Sequence, residues 1–151
     1  MSYSRAMAEP LRHEVEVDVR YAETDQMGVV HHANYLVWFE LARTELCAAA
    51  GHRYADIEQE GYLLMVVGAQ VRYRRGARYG ERLRLLCWIE RLRSRDLTFA
   101  YEVRRGDELL ATGSTDHLWV KRDTGRPTRA PDDVQRAFER LHAGVAAPQS
   151  P

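Results

Sequence analysis

Residues 24–35, with the sequence TDQMGVVHHANY, place a carboxylate, a glycine and two adjacent histidines directly before an apolar segment that has the composition of a buried helix. Helix N-termini leave backbone N–H groups without intrahelical partners, and these groups attract oxygens that carry developing negative charge. The carboxylate of Asp25 beside free amides near His31 and His32 is therefore a workable hydrolytic pair. The amides polarise a carbonyl, and the carboxylate attacks it or activates water.

The same residues also have an ordinary structural interpretation. An Asp in a loop is usually a turn or cap residue, and a His at a helix start is usually a satisfied polar group. Gly28 allows the loop to approach a ligand closely or to adopt a positive φ. Asn34 could cap the helix or could lie inside its first turn. Composition and spacing alone leave both interpretations open.

Seven residues of this region follow the spaced pattern Y-x-x-x-D-x-x-G-x-V-x-x-x-x-Y, with a His seven residues after the Asp and an Asn before the final Tyr. They are Tyr21, Asp25, Gly28, Val30, His32, Asn34 and Tyr35. With this pattern the segment RYAETDQMGVVHHANYLVWFELAR resembles the hotdog-fold acyl-CoA thioesterases of the 4-hydroxybenzoyl-CoA thioesterase family, especially the bacterial branch associated with the Tol-Pal system. The resemblance extends more loosely over residues 13–122, where Gly76 stands at a position that is often Pro in the family.

The resemblance implies a role for each residue of the pattern. Asp25 is expected to be the catalytic carboxylate, as nucleophile or as general base. The backbone N–H of His32 is expected to hold the thioester oxygen, while the His32 side chain and Tyr21 position the substrate or the attacking water. The remaining residues of the pattern are expected to bind substrate or to shape the helix start: Gly28, Val30, Asn34 and Tyr35.

Arginine supplies nearly all the positive charge, since Lys121 is the only lysine. Guanidinium groups suit phosphate, so two groups of arginines are candidates for contact with coenzyme A. Arg93 and Arg95 lie between two predicted strands, at a turn where hotdog thioesterases often carry basic residues. The ordinary interpretation of the second group is that its side chains are solvated at the edge of a strand. This group consists of Arg72, Arg74, Arg75 and Arg78.

Three classes of function compete for these residues. The first is a thioester hydrolase that acts on acyl-CoA or acyl-carrier protein and needs no cofactor beyond the coenzyme A of its substrate. The second is a non-catalytic acyl binder that uses the same pocket. The third is a metal hydrolase built on Asp25, His31 and His32, which ranks low because adjacent histidines in an extended segment point apart and no further ligand has recognisable spacing. We predict no metal.

Alternating and periodic apolar residues predict the elements that position this loop. One long helix over 34–50 ends at Gly51, and a short amphipathic helix starts near Asp132 or Asp133. RGDE at 105–108 is a predicted hairpin turn. Five segments are predicted strands: 14–21, 62–74, 82–92, 97–104 and 109–121. The sequence therefore indicates an α+β hotdog fold, in which a curved antiparallel sheet of about five strands wraps around one central helix.

Length and composition bound the organisation of the chain. We predict a flexible N-terminus over 1–12, a single hotdog domain over 13–143 and a flexible tail over 144–151. Lys plus Arg and Asp plus Glu both number 22, which argues against a nucleic-acid binder. No stretch is long enough to span a bilayer, and we expect a cytoplasmic protein. Because one sheet covers the apolar helix on one side only, we expect a homodimer or homotetramer.

Three further expectations concern single residue types. The tryptophans are expected to lie in the core or at an interface, and they are Trp38, Trp88 and Trp119. Cys47 is expected to be inert packing inside the helix. His117, in a late strand, receives no role.

Overall fold

The computed structural model describes residues 9–145 as one antiparallel sheet accompanied by three α-helices and a short 3₁₀ turn. In chain order these elements are β1 (His13–Asp18), the 3₁₀ turn (Tyr21–Glu23), α1 (Asn34–Ala49), α2 (Tyr54–Gln59), β2 (Tyr62–Tyr73), β3 (Arg82–Leu92), β4 (Asp96–Arg105), β5 (Glu108–Lys121) and α3 (Asp132–His142).

The five strands lie in the order β1-β3-β4-β5-β2, and every neighbouring pair is antiparallel. Strands β3, β4 and β5 follow one another through short connections, as expected for antiparallel neighbours. Gly106 and Asp107 alone join β4 to β5, and Gly106 has a φ of +59°, so the predicted hairpin turn at 105–108 is confirmed. Strand β2 forms one edge of the sheet.

Helix α1 packs on the inner face of the sheet. The ring of Phe39 stacks on that of Tyr101 with the centroids 4.2 Å apart. Gly113 on β5 is required beneath this ring, because a Cβ there would overlap Phe39. Helix α3 covers the other end of the same face, where Phe138 packs edge-on against Phe99. One core therefore holds both helices against the sheet, and the predicted α+β hotdog architecture is confirmed.

The long helix ends as the sequence predicts, with Gly51 in the left-handed region at a φ of +89°. The six-residue helix α2 was not predicted, since so short a segment gives little periodicity. Strand β1 ends at Asp18 and not at residue 21 as predicted, because the chain enters the 3₁₀ turn there. Tyr21 therefore does not continue the buried face of the strand.

The domain limits remain a prediction at both ends, since residues 1–8 and 146–151 lie outside the described part of the chain. Part of the segment predicted to be flexible is bound to the domain. The N–H of Leu11 donates to the carbonyl of Leu141 at 2.8 Å, and the guanidinium of Arg12 lies 4.0 Å from the ring centroid of Trp88. Within residues 9–145, no helix is both long and apolar enough to cross a membrane.

Candidate active site

A tight turn fixes the carboxylate of Asp25. Its Oδ1 accepts the backbone N–H of Met27 at 2.8 Å and that of Val29 at 3.4 Å. The N–H of Gly28 donates to the Asp25 carbonyl at 3.1 Å, and the φ of +80° at Gly28 explains why glycine stands there. Within residues 9–145, no donor occupies Oδ2, so one carboxylate oxygen is held and the other is available for chemistry.

Glu23 connects this turn to helix α1. Its carboxylate is buried, with 4% of the residue exposed, and accepts the N–H of Arg20 at 2.8 Å and the indole N–H of Trp38 at 2.9 Å. The carbonyl of Glu23 accepts the N–H of His31 at 2.8 Å and the side-chain amide of Asn34 at 2.9 Å. Asn34 is the first residue of α1, and its side chain holds the loop against the helix and does not cap it.

The start of α1 leaves one backbone amide free. Ala33 is the N-cap residue and offers no side-chain cap. The N–H of His31 is bound to Glu23, and the N–H of Ala33 donates to Nδ1 of His31 at 3.3 Å. The N–H of His32 has no acceptor in the part of the chain that the structure describes. Of the three amides considered, His32 is therefore the one that can donate to a bound oxygen.

Asp25 and His32 line one cleft, the Asp25 cleft, with a volume of about 290 Å³. The hydroxyl of Tyr73 donates to the carbonyl of His32 at 3.0 Å, and its ring packs edge-on against Tyr35 at 5.0 Å. Burial raises the pKa of both phenols, so they stay protonated near neutral pH. The other lining residues are Val29, Val30, Arg74, Arg75 and Gly76.

Two arginines give the cleft positive charge. Arg75 forms an ion pair with Glu108 at 3.1 Å, in which both side chains are exposed to solvent. Arg74 has no carboxylate within ion-pair distance among the described residues. Exposed pairs of this kind hold an arginine only weakly, so both guanidinium groups can turn toward an anionic ligand.

Tyr21 lies outside the Asp25 cleft of the described chain. It is 77% exposed and packs edge-on against Tyr79 with the ring centroids 5.8 Å apart. The 3₁₀ turn that follows β1 carries its side chain outward. The role of Tyr21 in positioning substrate or water stays a prediction. From its present position Tyr21 would contact only a part of the substrate that lies outside the cleft.

Arg93 and Arg95 also lie away from the cleft. They occupy the turn between β3 and β4, beyond the end of β5 that carries Leu118. Tyr73 at the cleft pairs with Ala111, seven positions earlier on β5. At a rise of about 3.3 Å per residue the two ends are roughly 20 Å apart. Within a single chain these arginines therefore do not reach the Asp25 cleft, and their contact with coenzyme A stays a prediction.

The two adjacent histidines do not point apart, so that expectation is wrong. Their rings stack with centroids 4.3 Å apart and an interplanar angle of 30°. The reason is that the chain already turns toward α1 at this point and is not extended. Among residues 9–145, no three His, Cys, Asp or Glu side chains are grouped in a way that could hold a metal ion.

The cysteines lie in the core. Burial raises the pKa of the Cys47 thiol to about 12 and that of Cys87 well above its usual range. A thiol that stays protonated is a poor nucleophile, which agrees with the expectation of inert packing. Trp38 and Trp119 are buried as expected, whereas Trp88 is half-buried on the outer face of the sheet.

Sequence reasoning missed two residues of the site. Glu23 lies inside the segment that resembles the thioesterase family. The one local signal for its role is that it follows Arg20 by three residues, a spacing that allows a turn. Tyr73 carried no signal, because its position at the helix start depends on the fold that brings the end of β2 to α1.

A five-stranded antiparallel sheet around one long helix, with a carboxylate and a free helix N-terminal amide in one cleft, defines a hotdog-fold thioesterase. The chain belongs to the Thioesterase-like superfamily, whose family model matches residues 19–138. The predicted family is thereby confirmed. The resemblance to the Tol-Pal-associated branch in particular stays a prediction.

Similar proteins agree with this assignment. The Bacillus subtilis protein named "Putative acyl-CoA thioesterase YneP" is 37% identical over 128 residues, which are 84% of this chain and 90% of that protein. The solved structure of the hypothetical protein TT1821 from Thermus thermophilus is 42% identical with a TM-score of 0.83, covering 85% of this chain and 98% of that one. DHNA-CoA thioesterase from Staphylococcus aureus is 34% identical with a TM-score of 0.84, covering 88% and 92%.

Proposed function

We propose that the protein hydrolyses acyl-CoA thioesters to a free carboxylic acid and coenzyme A. The observation that carries this proposal is that the Asp25 carboxylate and the unoccupied N–H of His32 share one cleft. Membership of the thioesterase-like superfamily and the names of similar proteins, one an acyl-CoA thioesterase and one a DHNA-CoA thioesterase, support the substrate class.

In the proposed reaction the N–H of His32 donates to the thioester carbonyl oxygen, where negative charge develops. As a nucleophile, Asp25 attacks the carbonyl carbon, the C–S bond breaks, coenzyme A leaves as a thiolate, and water hydrolyses the resulting anhydride. As a general base, Asp25 removes a proton from water as the water attacks, and the proton passes to the leaving thiolate. Both routes use the free Oδ2 and need no metal or cofactor.

The arginines at the cleft suit the phosphates of coenzyme A. Arg74 and Arg75 lie beside the proposed reaction centre, so we infer that they are better placed within the protomer than Arg93 and Arg95. A guanidinium binds phosphate through two parallel N–H donors. A carrier protein with a phosphopantetheine arm would present fewer phosphate groups to these arginines than coenzyme A does.

We further propose a homodimer formed through β2. This edge strand runs for 12 residues and leaves one side without a strand partner in the described chain. Exposed apolar side chains cluster on β2 and on the neighbouring face of α1. They are Met65, Val66, Val67, Leu36, Val37 and Leu41. Pairing of two β2 strands would cover these side chains and place a second chain beside each Asp25 cleft.

The proposed activity is tested by following thiol release from a panel of short, long and aromatic acyl-CoA thioesters. The protein is first treated with chelator and freed of it. We expect turnover of at least one class at an undiminished rate. Binding of acyl-CoA without thiol release would contradict hydrolysis and indicate a non-catalytic acyl binder. A rate lost to chelator and restored by a divalent metal would contradict the metal-free route.

A further inference from the structure

Helix α1 and strand β2, which both contribute to the Asp25 cleft, also line a second groove further along the helix. We call it the α1–β2 groove, and its volume is about 210 Å³. Its apolar walls are Leu36, Val37, Val66 and Ala69, and its polar groups are Glu40, Arg43 and Thr115. On α1 the groove begins at Leu36, directly after Tyr35 of the cleft.

The polar end of this groove lies away from the reaction centre. Along α1 the order is His32 in the cleft, Leu36 in the wall and Arg43 at the far end. With a rise of about 1.5 Å per residue, the Cα of Arg43 lies roughly 10 Å beyond that of Leu36. A thioester held at His32 would therefore extend an acyl chain along apolar walls toward Arg43. In the proposed homodimer the second chain would lie over Leu36, Val37 and Val66. The acyl chain would then run between these walls and the second chain.

Arg43 is a buried cation without a counter-ion. The residue is 8% exposed, and its Nε has no hydrogen-bond partner. Its polar neighbours are the phenol hydroxyls of Tyr101 and Tyr54, which carry no negative charge, and no carboxylate lies within ion-pair distance of it among residues 9–145. Glu40 borders the same groove one turn earlier, but it is exposed to solvent and forms no ion pair with Arg43. A buried guanidinium that lacks an anion is costly unless a ligand supplies one.

The groove floor beside Arg43 is also polar. Thr115 is buried, and its hydroxyl is hydrogen-bonded to Tyr101 Oη at 2.6 Å and to His117 Nε2 at 2.8 Å. This chain of hydrogen bonds fixes the hydroxyl at the bottom of the groove. The hydroxyl of Thr115 has one proton, so it can donate to an oxygen acceptor in the groove when Tyr101 Oη–H and His117 Nε2–H both donate to it. A group with oxygen acceptors that reached this point would then meet both this hydroxyl and the guanidinium of Arg43.

We propose that Arg43 and Thr115 form a subsite for a carboxylate at the far end of the acyl group. The enzyme then prefers ω-carboxyacyl thioesters to unsubstituted acyl thioesters of equal length. This inference rests on the proposed thioesterase function, because that function places the reacting carbonyl at the other end. A carboxylate matches the planar donor fork of arginine, which stays protonated at every relevant pH, while the walls accommodate the methylene chain.

The test compares three CoA thioesters of the same chain length: suberyl-CoA, its neutral ω-methyl ester and octanoyl-CoA. A hydrogen-bonded charge pair in a buried site should give suberyl-CoA about a ten- to hundredfold higher kcat/KM than either neutral thioester. The difference should lie mainly in KM, because the terminal contact is the same in the ground and transition states. Arg43→Gln should reduce this ratio toward one, while Arg136→Gln, which removes an exposed charge on α3, should leave it unchanged.

The outcomes separate this inference from the proposed function. Hydrolysis of octanoyl-CoA with no preference for suberyl-CoA would overturn the subsite and leave the thioesterase proposal intact. Absence of any hydrolysis would overturn the proposed function, and calorimetric binding of the three thioesters to Asp25→Asn would still decide on the subsite. Equal affinities in that measurement would overturn it. The comparison on the unmodified protein stands even if Arg43→Gln fails to fold.

Discussion

The carboxylate of Glu23 accepts the indole N–H of Trp38 at 2.9 Å, and both residues are buried. The same carboxylate accepts the N–H of Arg20, so its two oxygens hold the loop and the helix together. Asp25 follows two residues later and His31 is bound to the Glu23 carbonyl. The geometry of the Asp25 cleft therefore depends on a residue that does not line it.

Replacing Glu23 by Gln should lower both stability and turnover. Arg20 N–H donates to Oε1 of Glu23 and the Trp38 indole donates to Oε2. Gln replaces one of these oxygens with an NH2 group, which cannot accept, so one of the two donors loses its partner. We expect the free energy of unfolding to fall by about 1–3 kcal/mol. We also expect Glu23→Gln to lower kcat more than Glu58→Gln does, since Glu58 is an exposed residue on α2 and serves as the control. Denaturant unfolding and thiol-release kinetics measure the two effects, and wild-type values for both would contradict this positioning role.

The sequence was sufficient where a local pattern dictates the structure. Alternation predicted the strands, and the glycine at 51 predicted the end of α1 because it alone accepts a positive φ there. Tyr21 followed the alternation of β1 but lies on the surface, since the strand stops before it. Glu23 and Tyr73 could not be placed, because their partners come from 15 and 41 residues away and only the fold brings them together.

His117 should make stability depend on pH below neutrality. Burial, aided by the positive charge of Arg43, lowers the pKa of His117 to about 4. The unfolded chain takes up this proton near pH 6.5 and the folded chain does not, so stability is full above that pH and falls as pH drops toward 4. The shift corresponds to about 3 kcal/mol over the whole range.

Urea unfolding at pH 7 and pH 4.5 measures this contribution. The wild-type protein should lose about 2 kcal/mol more between the two pH values than His117→Gln, whose side chain does not titrate. For each protein the quantity compared is the change in unfolding free energy between pH 7 and pH 4.5. A destabilisation by the substitution that is the same at both pH values therefore cancels. Equal losses in the two proteins would show that His117 is not buried in its neutral form.

The proposed dimer makes a prediction about β2. Val67 is 59% exposed on this strand, and Val67→Asp would place a charge at the centre of the proposed contact. Light scattering should give a dimer or larger assembly for the wild-type protein and a monomer for this variant. Val145→Asp, which alters an exposed valine after α3, should leave the assembly unchanged. A wild-type monomer with full activity would contradict the proposal.

The central claim is that Asp25 performs the chemistry while the His32 backbone amide holds the oxyanion. The most direct measurement is kcat and melting temperature for Asp25→Asn, His32→Ala and His31→Ala. Asn keeps the acceptor for Met27 but cannot act as carboxylate nucleophile or effective base, so kcat should fall by about 10²–10⁴-fold or more with little change in melting temperature. His32→Ala retains the amide and should lose less, and His31→Ala least. An active Asp25→Asn beside an inactive His31→Ala would contradict the account.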